Sequence, residues 1–352
     1  MTTQNPKRSG CLTRMIRLTL SLLLTLLALL AVGYFYQRRA TAADFEQFPP
    51  PGKRVDVGGY NLHIYCTGEG SPTVVVDTGN GDFSTGWQGI QPEVAKFTRI
   101  CIYDRAGYGW SDASPTPRSA ANFALELHTL LSKAGEEPPF LLAGHSLGGY
   151  TVRVFAHQYP DEVAGMVLVD AGHEDQLERF PPEYARLAGQ QTSYLSVLGF
   201  MARFGLLRMI GNTSSGADLT PLQVLKLPPD VQPVYLMMMS HPSYFDTTLA
   251  ELRALPESTT QVRAIHGLGD LPLIVLTAEN TLDSATLQAI GMPTDFDAAQ
   301  IQQTWLALQA ELTALSTNSE NIIVKGSTHA IELDKPDVVI EAIRKVVGMI
   351  KE

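Results

Sequence analysis

Phe140-Leu-Leu-Ala-Gly144-His145-Ser146-Leu147-Gly148-Gly149 is an apolar run that ends in G-x-S-x-G and passes into a helical pattern through Val152, Phe155 and Ala156. Read as strand, sharp turn and helix, it decides the fold. A serine on such a turn lifts its hydroxyl above the sheet edge, and the backbone there is too crowded for side chains at Gly144 and Gly148. The following helix directs its N-terminus at the same place and favours negative charge developing there. Ser146 is therefore the candidate nucleophile. A bare G-x-S-x-G is common by chance, and this one gains weight from its flanks. The competing reading is a glycine-rich turn that packs tightly and does no chemistry.

A serine hydroxyl needs a general base near neutral pH. Five histidines follow Ser146. His157 lies on the helix after the turn, and His173, His241 and His266 fall within or beside a long helical stretch. His329 follows the last strand candidate in Gly326-Ser327-Thr328-His329, a loop at the sheet edge where catalytic groups converge. It is the candidate base, against the plainer reading of a loop histidine facing solvent. An acid must then orient the imidazole. Asp170 ends Met166-Val-Leu-Val-Asp170, where a carboxylate is costly unless paired, and is placed first. Asp283 and Glu279 follow the strand candidate at 273–277 and compete for the role, although Asp283 is equally explained as a helix cap. The backbone N–H of Leu147 and that of Asn80, in Asp77-Thr78-Gly79-Asn80-Gly81, are the candidate oxyanion donors.

On either side of this turn, short β-branched runs alternate with helical patterns, which implies a mostly parallel sheet covered on both faces. The strand candidates are 54–57, 60–66, 73–77, 99–103, 140–143, 165–169, 273–277 and 321–325, with Gly58-Gly59 as a turn between the first two. A helix is expected from an N-cap at Ser119 to Gly135, with Phe123, Leu127, Leu130, Leu131 and Ala134 on its core face. The loop Asp104–Asp112 is expected to be structural, tied down by its own Gly and Asp side chains. After Asp170 the alternation stops, and about 174–266 is helical, Met-rich and far too long for a simple connection, so it is expected to be an inserted lid.

The N-terminal region differs in kind. Residues 18–36 carry no charge and are mostly Leu, Ala and Val, long enough to reach across a bilayer core of roughly 30 Å. Tyr34, Phe35 and Tyr36 close the stretch as an aromatic belt would, and Lys7, Arg8, Arg14 and Arg17 precede it. The expected organisation is a cytoplasmic tail at 1–17, a transmembrane anchor at 18–36, a linker at 37–52 that ends in Pro49-Pro50-Pro51-Gly52, and an extracytoplasmic domain at 53–352. The rival is a signal peptide cleaved at Ala40-Thr41-Ala42, giving a secreted protein. A formal net charge of −10 without a basic stripe gives no footprint for nucleic acid. Dispersed histidines and the absence of closely spaced cysteines point to no metal, and no nucleotide loop is present. No cofactor is expected.

The set Pro72–Gly79, Arg99–Ser111, Gly144–Gly149 and Ser327–His329 resembles the α/β-hydrolase superfamily, nearest to a bacterial membrane-associated serine esterase-like branch. The resemblance spans roughly 54–350 apart from the lid, and only the turn at Ser146 and the His329 loop are specific. It departs from the family pattern at Asp77-Thr78-Gly79, where many relatives carry His-Gly, and after 273–277, where the usual Gly-x-x-Asp is missing. It implies an eight-stranded α/β-hydrolase sheet with a helical lid. Related epoxide hydrolases and dehalogenases attack with aspartate, which Ser146 argues against. In that topology the second strand lies antiparallel beside the fourth, so Cys66 and Cys101 can face one another and form a disulfide; two buried apolar thiols are the alternative. The expected activity is hydrolysis of a carboxylic ester with an apolar acyl or aryl part, Met237, Met238 and Met239 suiting an adaptable pocket. Amidase, aminopeptidase or carbon–carbon hydrolase chemistry on the same residues is the alternative enzyme. A tethered binding protein without catalysis is the alternative to an enzyme.

Overall fold

The computed structural model describes residues 7–211, 221–281 and 298–351. Its strands are β1 (Lys53–Asp56), β2 (Asn61–Thr67), β3 (Thr73–Asp77), β4 (Ile100–Tyr103), β5 (Phe140–His145), β6 (Val163–Val169), β7 (Leu273–Ala278) and β8 (Ser319–Val324). The longer helices are α1 (Lys7–Gln47), α2 (Ala120–Ala134), α3 (Gly148–Gln158), α4 (Pro182–Arg203), α5 (Leu206–Gly211), α6 (Leu222–Lys226), α7 (Gln232–Met239), α8 (Pro242–Arg263), α9 (Ala298–Thr313) and α10 (Pro336–Lys351). The strands form one sheet in the order β1-β2-β4-β3-β5-β6-β7-β8. Pairs β1–β2 and β2–β4 are antiparallel, and all others are parallel.

Both faces of the sheet are covered, which is why its central strands read as near-continuous apolar runs. Alternation along each strand splits the core in two. Val75, Phe140 and Leu142 point into a layer built with Phe123 and Leu127 of α2, Val152 and Phe155 of α3 and Val262 of α8. Val74, Val76, Leu141 and Ala143 point the other way, onto Val339, Ile343 and Val346 of α10. The sheet brings the C-terminal ends of β3, β5, β6, β7 and β8 to one edge, and the candidate site lies there.

Two local expectations need correction. Ser119 holds the N-cap backbone geometry of α2 but makes no capping bond of its own. The first amides of that helix are taken instead by α8: Ala120 N–H donates to Ser258 Oγ at 3.0 Å and Ala121 N–H to Gln261 Oε1 at 2.8 Å. A tertiary contact has replaced the local cap. At the other end Gly135 takes a left-handed φ of 75°, so the chain can leave the helix as expected. The second correction concerns the linker at 37–52. Helix α1 continues through it to Gln47, so the joint is only the Pro-rich stretch after it. Ala40, Ala42 and Ala43 favour helix, and the extension is held by partners in the domain: Gln37 Nε2–H donates to Ser240 O at 3.2 Å, Arg208 pairs with Asp44, and His241 Nε2 lies 3.0 Å from Asp44. Helix α1 holds the one apolar stretch among the described residues with the length and composition to cross a membrane, and none of that stretch is buried in the protein.

Cys66 and Cys101 are register partners in the β2–β4 pair, with Cα atoms 4.0 Å apart and the sulfurs bonded. The bond closes a loop of 35 residues. Chain-entropy reasoning assigns such a loop a stabilisation of about 2–4 kcal/mol. The double variant Cys66→Ser, Cys101→Ser is therefore expected to lose about that much in denaturant unfolding, with the fold retained. Two thiols titrating in denatured, non-reduced protein, beyond that of Cys11, would show the bond to be absent.

Candidate active site

Ser146 sits where β5 turns into α3. Its φ is 51°, and that of Asp170, just past the end of β6, is 40°. Among the described residues these are the two non-glycine residues with positive φ, a conformation that costs roughly 1–3 kcal/mol apiece and persists only where the surroundings enforce it. The surroundings do so by close packing. A Cβ at Gly144 would stand 2.7 Å from Val152 Cγ2, and one at Gly148 would overlap the Asp77 carbonyl. Backbone bonds fix the rest: Gly172 N–H donates to Ser146 O at 2.9 Å, and Asp170 N–H to Leu276 O at 2.7 Å.

The side chains of these two residues meet through His329. Ser146 Oγ lies 2.9 Å from His329 Nε2, and His329 Nδ1 lies 2.7 Å from Asp170 Oδ2. Asp170 is fully buried. It accepts further hydrogen bonds from the Ala278 N–H at 2.9 Å, the Trp305 indole N–H at 2.8 Å and the Thr281 hydroxyl at 3.2 Å. An acceptor ringed by donors orients His329 with its Nδ1–H toward the carboxylate, leaving Nε2 to accept from the serine hydroxyl. The costly acid at a strand end is thus a paired one. Glu279 is exposed and accepts from the Gly326 N–H at 2.8 Å, away from His329. Asp283 lies outside the described residues. His157 and His266 are exposed, His241 is held by Asp44, and His173 Nδ1 accepts from the Asp175 N–H at 3.1 Å.

Asn80 and Leu147 both border the site. Among the described residues neither backbone N–H is engaged with a carbonyl or side chain. The loop carrying Asn80 is held by a residue whose importance the sequence did not reveal. Arg105, fully buried, donates to Asp77 Oδ1 at 2.5 Å, Thr78 O at 2.6 Å, Gly79 O at 2.8 Å and Glu251 Oε1 at 2.8 Å. Glu251, on α8, also accepts from the Asn80 amide at 2.8 Å and the Tyr108 hydroxyl at 2.9 Å. The loop Asp104–Asp112 is structural in this sense. Asp104 accepts from His63, the Ser84 N–H and the Trp110 N–H, and Arg105 reaches from it to the candidate oxyanion loop.

A cavity of about 270 Å³ opens onto Ser146 and His329. Its walls mix apolar groups from the helical insertion (Val224, Leu227, Tyr235, Met239, Tyr244) with two acids, Asp82 and Glu332. These acids, with His145, bring one polar atom each within 4.8 Å of one another. Asp82 Oδ2, Glu332 Oε2 and His145 Nδ1 are buried without partners. Burial, and then the nearby His329, push the His145 imidazole down to about 3, so it is neutral and its Nε2–H is directed at His329 O, 3.0 Å away. Burial pushes Asp82 up to about 6 and, joined by the charge of Asp82, holds Glu332 well above the usual carboxylate range. His145 directs its Nε2–H at His329 O and keeps Nδ1 unpartnered, and Glu332 Oε2 lies 3.6 Å from Nε2, so the group is an acid pair beside one neutral imidazole at the cavity. Nothing in the local sequence marks this pair, because Asp82 follows β3 and Glu332 follows His329.

Residues 72–209 match the family model described as the alpha/beta hydrolase fold. The protein YbdG of Bacillus subtilis, itself uncharacterised, is 24% identical over 304 residues, covering 84% of this chain and 86% of that one. A thermophilic esterase from Thermogutta terrifontis superposes with a TM-score of 0.57 at 21% identity, over 85% of this chain and 98% of the other. An epoxide hydrolase from Bacillus megaterium superposes with a TM-score of 0.60 at 16% identity, over 84% and 100%.

The buried carboxyl of Asp82 gives the site a pH signature. A group with an ordinary value of 3.8 and a folded value of about 6 makes no net contribution at low pH, where both states are protonated. As pH rises through the folded value, stability is lost, at most about 3 kcal/mol for a shift of this size. Asp82→Asn, which keeps the acceptor for Tyr235, should therefore match the wild type near pH 3 and exceed it in stability at pH 8. A stability difference that stays constant across that range would remove the acid from this account.

Proposed function

This chain belongs to the α/β-hydrolase superfamily, and on that footing we propose that it is a membrane-anchored serine hydrolase that cleaves carboxylic esters through an acyl-enzyme. The observation that carries the reading is the relay Ser146–His329–Asp170, whose serine and histidine line a cavity with mostly apolar walls. In the proposed reaction Ser146 Oγ attacks the ester carbonyl while its proton passes to His329 Nε2. The oxyanion is received by the N–H groups of Asn80 and Leu147. Collapse breaks the bond to the alcohol oxygen, which leaves with the proton held on His329. Water then repeats the sequence on the acyl-enzyme and frees the acid. Asp170 holds the imidazole and stabilises its charged form. Within the domain at 53–352 the helices of about 174–266 act as the lid, with Val224, Leu227, Met239 and the two tyrosines shaping an acyl or aryl pocket. Helix α1 anchors the chain, and the basic tail before it together with the Cys66–Cys101 bond supports a domain placed outside the cytoplasm.

A second reading on the same residues, an aminopeptidase or amidase, draws support from one observation. Asp82 and Glu332 line the cavity beside Ser146, and their carboxyl groups would pair with a substrate ammonium. Assay of acyl-chain esters against aminoacyl arylamides separates the two, and only the second activity should fall in Glu332→Gln.

Fluorophosphonate labelling should be lost in Ser146→Ala. Turnover should drop by several orders of magnitude in Ser146→Ala and in His329→Ala, to similar levels because the residues act as a unit. Asp170→Asn should fold normally and lose about 10⁴-fold in kcat through the wrong imidazole tautomer. A tenth of wild-type turnover surviving in either Ser146→Ala or His329→Ala would end the assignment.

A further inference from the structure

We propose that the exposed apolar face of α4 and α5 lies in the interfacial layer of the bilayer, beside the point where α1 leaves it. The domain would then rest on the membrane through its helical insertion instead of standing off on a stalk. This rests on the reading of α1 as a membrane span.

The first support is where α1 meets the insertion. The contact begins inside the apolar stretch 18–36. A Cβ at Gly33 would stand 2.5 Å from Phe204 O, and one at Gly205 would stand 2.7 Å from the Tyr36 ring, so the backbones approach closely at both points. Gly33 precedes the end of the stretch at Tyr36 by less than one turn, about 4–5 Å along the axis. The junction of α4 and α5 is therefore level with the boundary between acyl chains and headgroups, the depth at which amphipathic surface helices lodge.

The second support is what the helices on either side of that junction expose. Tyr194 (64% exposed), Val197 (58%) and Phe200 (54%) follow one another at three-residue spacing on α4, and Met209 (60%) and Leu206 continue the surface on α5. Large apolar side chains clustered on one face mark an interaction surface, unlike those scattered singly. Arg203 and Arg208 lie beside them, paired with Asp246 and Asp44, as cations at headgroup level would be.

The third support is rigidity. Gln37 is tied to Ser240 O at the end of α7 and to Arg208 Nε at 3.0 Å, and Asp44 is tied to Arg208 and His241. A helix fixed across the membrane therefore fixes which face of the insertion meets the lipid. A second copy of the chain could cover the same face, but it would have to approach where the bilayer already stands. Helix α1 and the insertion meet at Gly33 and Gly205, at the end of the apolar stretch, and that adjacency selects lipid as the occupant.

The test uses the full chain in phosphatidylcholine–phosphatidylglycerol vesicles, with part of the phosphatidylcholine brominated on the acyl carbons nearest the headgroup. The native Trp87, Trp110 and Trp305 are buried and give a constant background. Phe200→Trp and Met209→Trp are expected to lose fluorescence to the brominated lipid, as is Leu24→Trp in the span, while Leu125→Trp, exposed on α2, keeps its intensity. Quenching of Leu24→Trp alone would overturn the proposal and leave the anchor intact. Loss of quenching at Leu24→Trp as well would overturn the anchor reading on which it rests. Tryptophans at 200 and 209 shielded from both brominated lipid and aqueous iodide would give the face to a second copy and overturn the lipid assignment.

Discussion

A single buried guanidinium organises the working edge of this sheet. Arg105 leaves the end of β4, passes under the loop after β3 and contacts Asp77, two carbonyls of that loop and Glu251 of α8. A guanidinium with its fork of donors is suited to this, since each donor meets a carboxylate or carbonyl that burial would otherwise leave unpaired. Removing one member would strand the others as buried uncompensated charge, the expensive outcome for such networks. The network thereby holds three separate segments in one register. Through Glu251 and the Asn80 side chain it also holds the loop that lines the cavity beside Ser146.

The same economy appears around Asp170. Its four donors come from the end of β7, the residue Thr281 beyond it, α9 and the His329 loop, so the carboxylate is a junction as much as a partner for the imidazole. The strained backbone at Ser146 and Asp170 is tolerated because both sit where neighbouring segments leave no alternative. The helical insertion completes the arrangement from above. α7 contributes Tyr235 and Met239 to the cavity, and its C-cap residue Ser240 accepts from Gln37 of α1. Helix α1, the insertion and the cavity are therefore joined by direct contacts.

The fold was legible because its signals are local. Each parallel strand is a short β-branched run buried on both faces, and the turn at Ser146 carries its own glycines. The sheet order and the pairing of Cys66 with Cys101 came from family topology, because register cannot be read from a strand by itself. Ser146, His329 and Asp170 were each singled out by position at a strand end, and the structure brings the three into one hydrogen-bonded chain. What escaped was long-range. Arg105 and Glu251 are separated by 146 residues, and nothing near either announces the other. The cap of α2 was assigned to the nearest serine, whereas residues of α8 supply it. The extension of α1 beyond Tyr36 was taken for a linker, because a polar stretch after an apolar one looks like a boundary until its partners are visible.

Esterases and epoxide hydrolases superpose on this chain about equally well, so the backbone does not choose between their reactions. A serine as the proposed nucleophile bears on that choice by simple chemistry. A carboxylate that opens an epoxide becomes an ester, whose carbonyl water can attack to regenerate the enzyme. A serine that opened an epoxide would become an ether, with no carbonyl and no easy route back. Serine is therefore compatible with turnover where the group it accepts brings its own electrophilic centre, as an acyl group does. In the proposed reaction the N–H groups of Asn80 and Leu147 receive the oxyanion that forms at the acyl carbon. With oxygen as the proposed attacking atom at position 146, the proposed donors and the His329 relay fit acyl transfer.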